Sequence, residues 1–178
     1  MNSGKSILLN EKKIIDIIEN LNRVLTLKNK SLSIVIYGGS CLCIMTKFRE
    51  STFDIDVTSS DSELLKQCVG EMNLSGDLIN DEIDVFLNKK ESLKLYKEYS
   101  NLKVYVPTLD YLLAMKIRAC RNKDIKDIKF LAEELDVRTI DKFKEIFTRY
   151  YSPIQFSKTR IEFLKGCLKW HHMNFSVH

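Results

Sequence analysis

The chain of 178 residues has only six glycines and two prolines, and nothing in it reads as a Gly/Pro/Ser-rich linker or a low-complexity tract. It has no apolar run approaching the ~20 residues that span a bilayer, which excludes a helical membrane protein. Near its start, MNSGKSILLNEKK offers only Ile7, Leu8 and Leu9 as an apolar patch, too short for a secretory signal. The cysteines are odd in number, five (Cys41, Cys43, Cys68, Cys120 and Cys167), and sit in segments that read as core-facing. A disulfide framework is therefore not expected; buried thiols in a reducing cytoplasm are. What is abundant is ordinary: 44% apolar and 29% charged residues, as in a globular chain long enough to bury a substantial core.

Charge of one sign is scarce overall but uneven along the chain. The formal net charge is +4, and Arg149, Lys158, Arg160, Lys165 and Lys169 face a single acid, Glu162, in the last 30 residues. That excess equals the whole net charge. A polyanionic partner fits it, and a merely solvated helix face fits it as well.

Periodicity divides the chain into an α/β half and a helical half. Ile14, Ile17, Ile18, Leu21, Val24 and Leu25 follow helical spacing, with Asn10 placed to cap. LSIVIY (32–37) reads as a strand, Ser40 to Lys47 as a short helix, and Phe53 to Val57 as an alternating strand with Phe53, Ile55 and Val57 facing inward. Ser60 and Glu63 form a capping-box pattern before Leu64. EIDVFL (82–87) and LKVYV (102–106) are further expected strands. After Pro107, Thr108 is expected to cap a helix carrying Leu112, Leu113, Met115 and Ile117. Three more helices follow, marked by Ile125, Ile128 and Leu131, by Phe143, Ile146 and Phe147, and by Ile161, Leu164 and Leu168. The expected division is an α/β core over 1–106 and a helical subdomain over 107–178.

Several local signals carry nothing. Gly4, Lys5 and Ser6 lack the upstream glycine and strand of a P-loop. Cys41 and Cys43 have no partner pair at metal-ligand spacing. His171 and His172 have no acidic or cysteine company.

The informative stretch is IVIYGGSCLCIMTKFRESTFDIDV (34–57). Gly38 and Gly39 follow a strand and open a helix, where a glycine turn admits close backbone approach and helix amides attract phosphate. Asp54 and Asp56, two apart on a strand, project to one face; a wet strand face is the plain alternative. Two such carboxylates suit Mg²⁺, a hard cation that takes a few carboxylates plus substrate phosphates.

GGS followed by RESTFDIDV resembles the hG[GS] … DhD signature of the nucleotidyltransferase fold of the DNA polymerase β superfamily, in the minimal bacterial group that includes AbiEii-type toxins. VPTLDYLLAMKIRACRNKDIKDIKFL resembles that group's helical motif, and the two blocks cover residues 32 to about 135. The resemblance implies a small mixed sheet flanked by helices, followed by a helical bundle. It implies that Gly38, Gly39 and Ser40 hold the phosphates of a nucleoside triphosphate, and that Asp54 and Asp56 bind two Mg²⁺ ions. Asp84 is the implied third carboxylate, with Glu82 as its rival, and Arg49 is implied to orient the loop or touch phosphate. Lys116 would pair with the triphosphate, and Lys123 or Asp124 would complete the pocket wall. A snorkelling surface lysine at 116 and a salt-bridged helix face over 123–127 are the plain alternatives. The implied reaction moves a nucleoside monophosphate to an acceptor hydroxyl and releases pyrophosphate, with tRNA or another RNA as a candidate acceptor and a cognate antitoxin as a candidate partner. An inactive nucleotide- or RNA-binding module and an antibiotic-modifying transferase are the alternatives.

Overall fold

The computed structural model describes residues 8–72, 74, 78–81 and 92–173. They form seven α-helices and a five-stranded mixed sheet, and they divide into two compact units, the first holding the described residues up to 81 with Leu93–Pro107, the second Ser92 with those from Thr108 onward.

The first unit contains α1 (Glu11–Leu27), β1 (Leu32–Ile36), α2 (Gly38–Met45), β2 (Ile55–Ser59), α3 (Ser62–Glu71), β3 (Ile79–Asn80), β4 (Leu93–Glu98) and β5 (Leu102–Pro107). The sheet order is β3-β2-β1-β5-β4. β1 pairs antiparallel with β2 and parallel with β5, while β3 runs parallel to β2 and β4 antiparallel to β5. The central position of β1 explains its apolar composition: Ile34 and Ile36 are buried, as are Val104 and Val106 beside them on β5. α1 turns Ile14, Ile18, Leu21 and Leu25 inward, and Asn10 Oδ1 accepts from Lys13 N at 3.0 Å to close its first turn.

Three local readings need correction here. The strand expected from Phe53 begins at Ile55, and Phe53 is 60% exposed. The reason is upstream: Thr52 exchanges both backbone hydrogen bonds with Leu9, at 2.8 and 2.9 Å. That isolated bridge fixes the chain before it joins the sheet. α3 is capped by Asp61, whose carboxylate accepts from Leu64 N at 3.0 Å, whereas Ser60 Oγ accepts from Ser33 N. α2 starts at Gly38, two residues earlier than its apolar pattern suggests. β3 and β4 were not legible in the sequence, and the strand expected over 82–87 lies outside the described residues.

The second unit contains α4 (Leu109–Ala119), α5 (Ile125–Glu134), α6 (Ile140–Tyr150) and α7 (Lys158–Met173). α4 is its axis: every residue from Tyr111 to Ile117 is buried, as expected of a helix covered on all sides, and α5, α6 and α7 pack on it. Thr108 stands at its N-cap position without a side-chain capping bond. α6 buries Phe143, Ile146, Phe147 and Tyr150, and Tyr150 Oη donates to Asp110 Oδ2 on α4 at 2.6 Å. All five cysteines are free thiols, four of them buried.

Candidate functional site: a glycine turn against Asp56

The chain leaves β1 at Ile36 and enters α2 within two residues. Tyr37 N donates to Asp56 O at 2.9 Å, tying the turn to β2. Gly38 then takes a φ of 62°, a left-handed conformation that L-residues rarely adopt. Space makes the same demand, because a Cβ there would run into Asp56 Oδ2. At Gly39 a Cβ would lie 2.8 Å from both Arg49 Cζ and Thr52 Oγ1. The two glycines therefore let three polar side chains close on the backbone of one turn. The first amides of α2, at Gly38, Gly39 and Ser40, have no intrahelical acceptor by construction, which makes this end of the helix attractive to an anion. Ser40 itself is fully buried, and its Oγ donates to Tyr37 O at 2.8 Å.

Both carboxylates are half-buried, and each is held by a neutral donor. Thr52 Oγ1 reaches Asp54 Oδ1 at 3.3 Å, and Asn80 Nδ2 donates to Asp56 Oδ1 at 2.9 Å. Thr52 is 3% exposed and pinned by its bridge to Leu9, so Asp54 stands on a fixed neighbour. Arg49 is steadied by donation from Nε to Ser51 O at 3.2 Å. Among the described residues no group of three or more His, Cys, Asp or Glu is arranged to hold a metal ion. Asp84 and Glu82 lie outside the described residues. The donor set that is described still fits a hard cation: two carboxylates two residues apart in sequence, with the glycine backbone beside one of them.

The remaining residues of interest belong to the second unit. Lys116 is 4% exposed, so it is not a snorkelling surface residue. Its Nζ lies 2.8 Å from Asp124 Oδ1 and 2.7 Å from Asp127 Oδ2. Arg121 Nε contacts Asp124 Oδ2 at 2.8 Å, balancing the two carboxylates with two cations. Burial alone would raise the Asp124 carboxyl; the charge and hydrogen bond of Lys116, joined by Arg121, outweigh it and hold the group below its ordinary value. Lys123 is exposed. Arg160 is engaged as well, its guanidinium donating to Ile117 O (3.2 Å), Arg118 O (2.7 Å) and Gln155 O (2.9 Å). Those first two carbonyls lie in the last turn of α4, where no intrahelical donor serves them.

Thr52, Asn80 and the pairing of Asp127 with Lys116 were missed from the sequence. Asp127 had a readable signal: 124, 127, 128 and 131 fall on one helical face, which puts both acids beside Ile128 and Leu131. Asn80 had none, because only the strand register brings it to Asp56.

The fold is mixed α/β, and it sets a glycine turn at the start of α2 against Asp56 of β2. The chain belongs to the family described as nucleotidyltransferase of unknown function (DUF6036), which matches residues 12–177. The crystal structure of an antigenic nucleotidyltransferase-like protein from Paracoccidioides brasiliensis is similar with a TM-score of 0.49 and 12% identity, over 94% of this chain and 92% of that one. No curated protein matches the chain. Nucleotidyl transfer is thus the class of chemistry that the family indicates, with a nucleotide as substrate. Among the described residues no helix is long and apolar enough to cross a membrane.

Proposed function

We propose that the protein is a metal-dependent nucleotidyltransferase that moves a nucleoside monophosphate from a triphosphate to an acceptor hydroxyl. The observation that carries this reading is the contact of Gly38 with Asp56, which sets an anion-binding helix start beside a cation-binding carboxylate. The amides of Gly38, Gly39 and Ser40 receive the β- and γ-phosphate oxygens, and the Arg49 guanidinium beside Gly39 adds positive charge there. Asp54 and Asp56 would hold Mg²⁺, whose charge, when bound, would lower the pKa of the attacking hydroxyl and offset charge on the departing pyrophosphate. Asp84 is the sequence's choice for a third carboxylate and for accepting the nucleophile's proton. Lys116 and Asp124 we assign to holding the second unit together, because the charge of Lys116 is already matched by two buried carboxylates.

The acceptor is tested by incubating the protein with each α-labelled triphosphate, Mg²⁺ and either total tRNA or the protein alone, and resolving the products on a gel. Label in the RNA band favours a toxin-like enzyme with a cognate antitoxin; label on the protein favours a hydroxyl of its own. Transfer should vanish with EDTA and in Asp56→Asn. A second reading, nucleotide binding without turnover, draws on Ser40, which is fully buried with its hydroxyl turned to Tyr37 O. Mg²⁺-dependent triphosphate binding with no labelled acceptor would select it. Absence of both binding and transfer would overturn both.

A further inference from the structure

β2 and β3 run parallel, with Ile79 opposite Ile55 and Asn80 opposite Asp56. The backbone anchors that register, since Ile55 N donates to Leu78 O at 2.9 Å. A slip of one residue would turn Asn80 to the other face of the sheet. The residue level with the second aspartate on the neighbouring strand is therefore an amide, and its Nδ2 lies 2.9 Å from Asp56 Oδ1. An ionised carboxylate can only accept, so the nitrogen of the amide is the atom that must face it.

We propose that Asn80 is a positioning residue for Asp56, fixing one carboxylate oxygen so that the other is presented beside Gly38 to a bound divalent cation. The proposal rests on the metal-dependent reading above. An aspartate side chain turns easily about its last bond, whose rotamer wells are broad, and a ligand that turns freely loses orientation on each binding event. One hydrogen bond to Oδ1 removes that freedom while Oδ2 keeps its place against the glycine turn. The chemistry of the donor matters. A lysine here would compete with the cation for the same carboxylate, and an acid would repel it. A neutral amide donates without doing either. Thr52 stands in the same relation to Asp54, as an uncharged donor. Partners of this kind typically change metal affinity by about 10–100-fold.

The test uses the full chain and Mn²⁺ as the probe, with free ion followed by electron paramagnetic resonance and melting measured with and without metal. Asn80→Ala should weaken Mn²⁺ binding by about 10–100-fold. Asn80→Asp should melt lower than wild type without metal, because two facing carboxylates repel. It should regain more of its melting temperature on adding Mn²⁺ than wild type gains. A purely structural asparagine would lower the melting temperature of both variants equally with and without metal and leave the dissociation constant unchanged; that result overturns the proposal. If wild type itself binds no Mn²⁺, the metal-dependent reading fails first, and the role of Asn80 falls with it. Wild-type binding with unchanged affinity in both variants refutes the positioning role alone.

Discussion

Gly38 satisfies two independent demands, a φ of 62° and a contact that leaves no room for Cβ beside Asp56. Gly38→Ala should therefore cost about 1–2 kcal/mol in backbone strain alone, more as Asp56 is displaced, and should weaken triphosphate binding. At Gly39 the atoms nearest a methyl group are the tip of Arg49 and the Thr52 hydroxyl, and no positive φ is required, so Gly39→Ala should be milder in a urea titration. An equal or greater loss in the Gly39 variant would contradict this account of the turn. The turn and the aspartates were legible because their chemistry is local: a glycine pair after a β-branched run, and two acids two residues apart. Asn80 and Thr52 were not, because what gives them meaning is a partner 24 residues away in one case and a backbone bridge to Leu9 in the other.

Between elements, the α4–α5 pair is joined by charge among buried side chains. Lys116→Met should destabilise by about 3–5 kcal/mol, since it removes the cation that contacts both buried carboxylates. Asp124 adds a pH dependence whose sign is fixed by its lowered pKa. Its contribution is complete above the unfolded value of about 3.9 and is lost as pH falls through the lower folded value. Chemical denaturation of Asp124→Asn between pH 7 and pH 3 should show a shallower loss of stability than wild type, and a parallel curve would contradict the pairing. Arg160 makes the same point about helix ends. Its sequence context suggests a solvated basic face, whereas its guanidinium serves the last carbonyls of α4. Arg160→Ala should cost about 1–3 kcal/mol by leaving those acceptors without a donor, which thermal melting can measure. Helices with one apolar stripe, such as α1 and α6, were readable by period. α4 was readable as a helix but not as an axis, because a fully covered helix shows no contrast between faces. The two-residue β3 is too short to have a period at all.

For the molecule as a whole, the +4 charge is less available than its clustering suggests. Arg149 pairs with Glu145 at 2.7 Å, Lys165 with Glu162 at 2.9 Å, and Arg160 is bound to carbonyls. Exposed pairs of this kind are weak and can open toward a phosphate, so the acceptor has to be found by transfer rather than read from charge. The central claim lies elsewhere, at the turn between β1 and α2, where phosphate and cation would meet. It is tested most directly by titrating a non-hydrolysable triphosphate analogue into wild type and Asp56→Asn, each with Mg²⁺ and with EDTA, alongside a melt of each protein. The expected result is wild-type affinity at least about tenfold tighter with Mg²⁺, or about 1.4 kcal/mol. That gain should be absent in Asp56→Asn, which should still melt cooperatively because an asparagine there keeps an oxygen that can accept from Asn80. Equal affinity with and without Mg²⁺ in wild type, or an undiminished Mg²⁺ effect in Asp56→Asn, would contradict it.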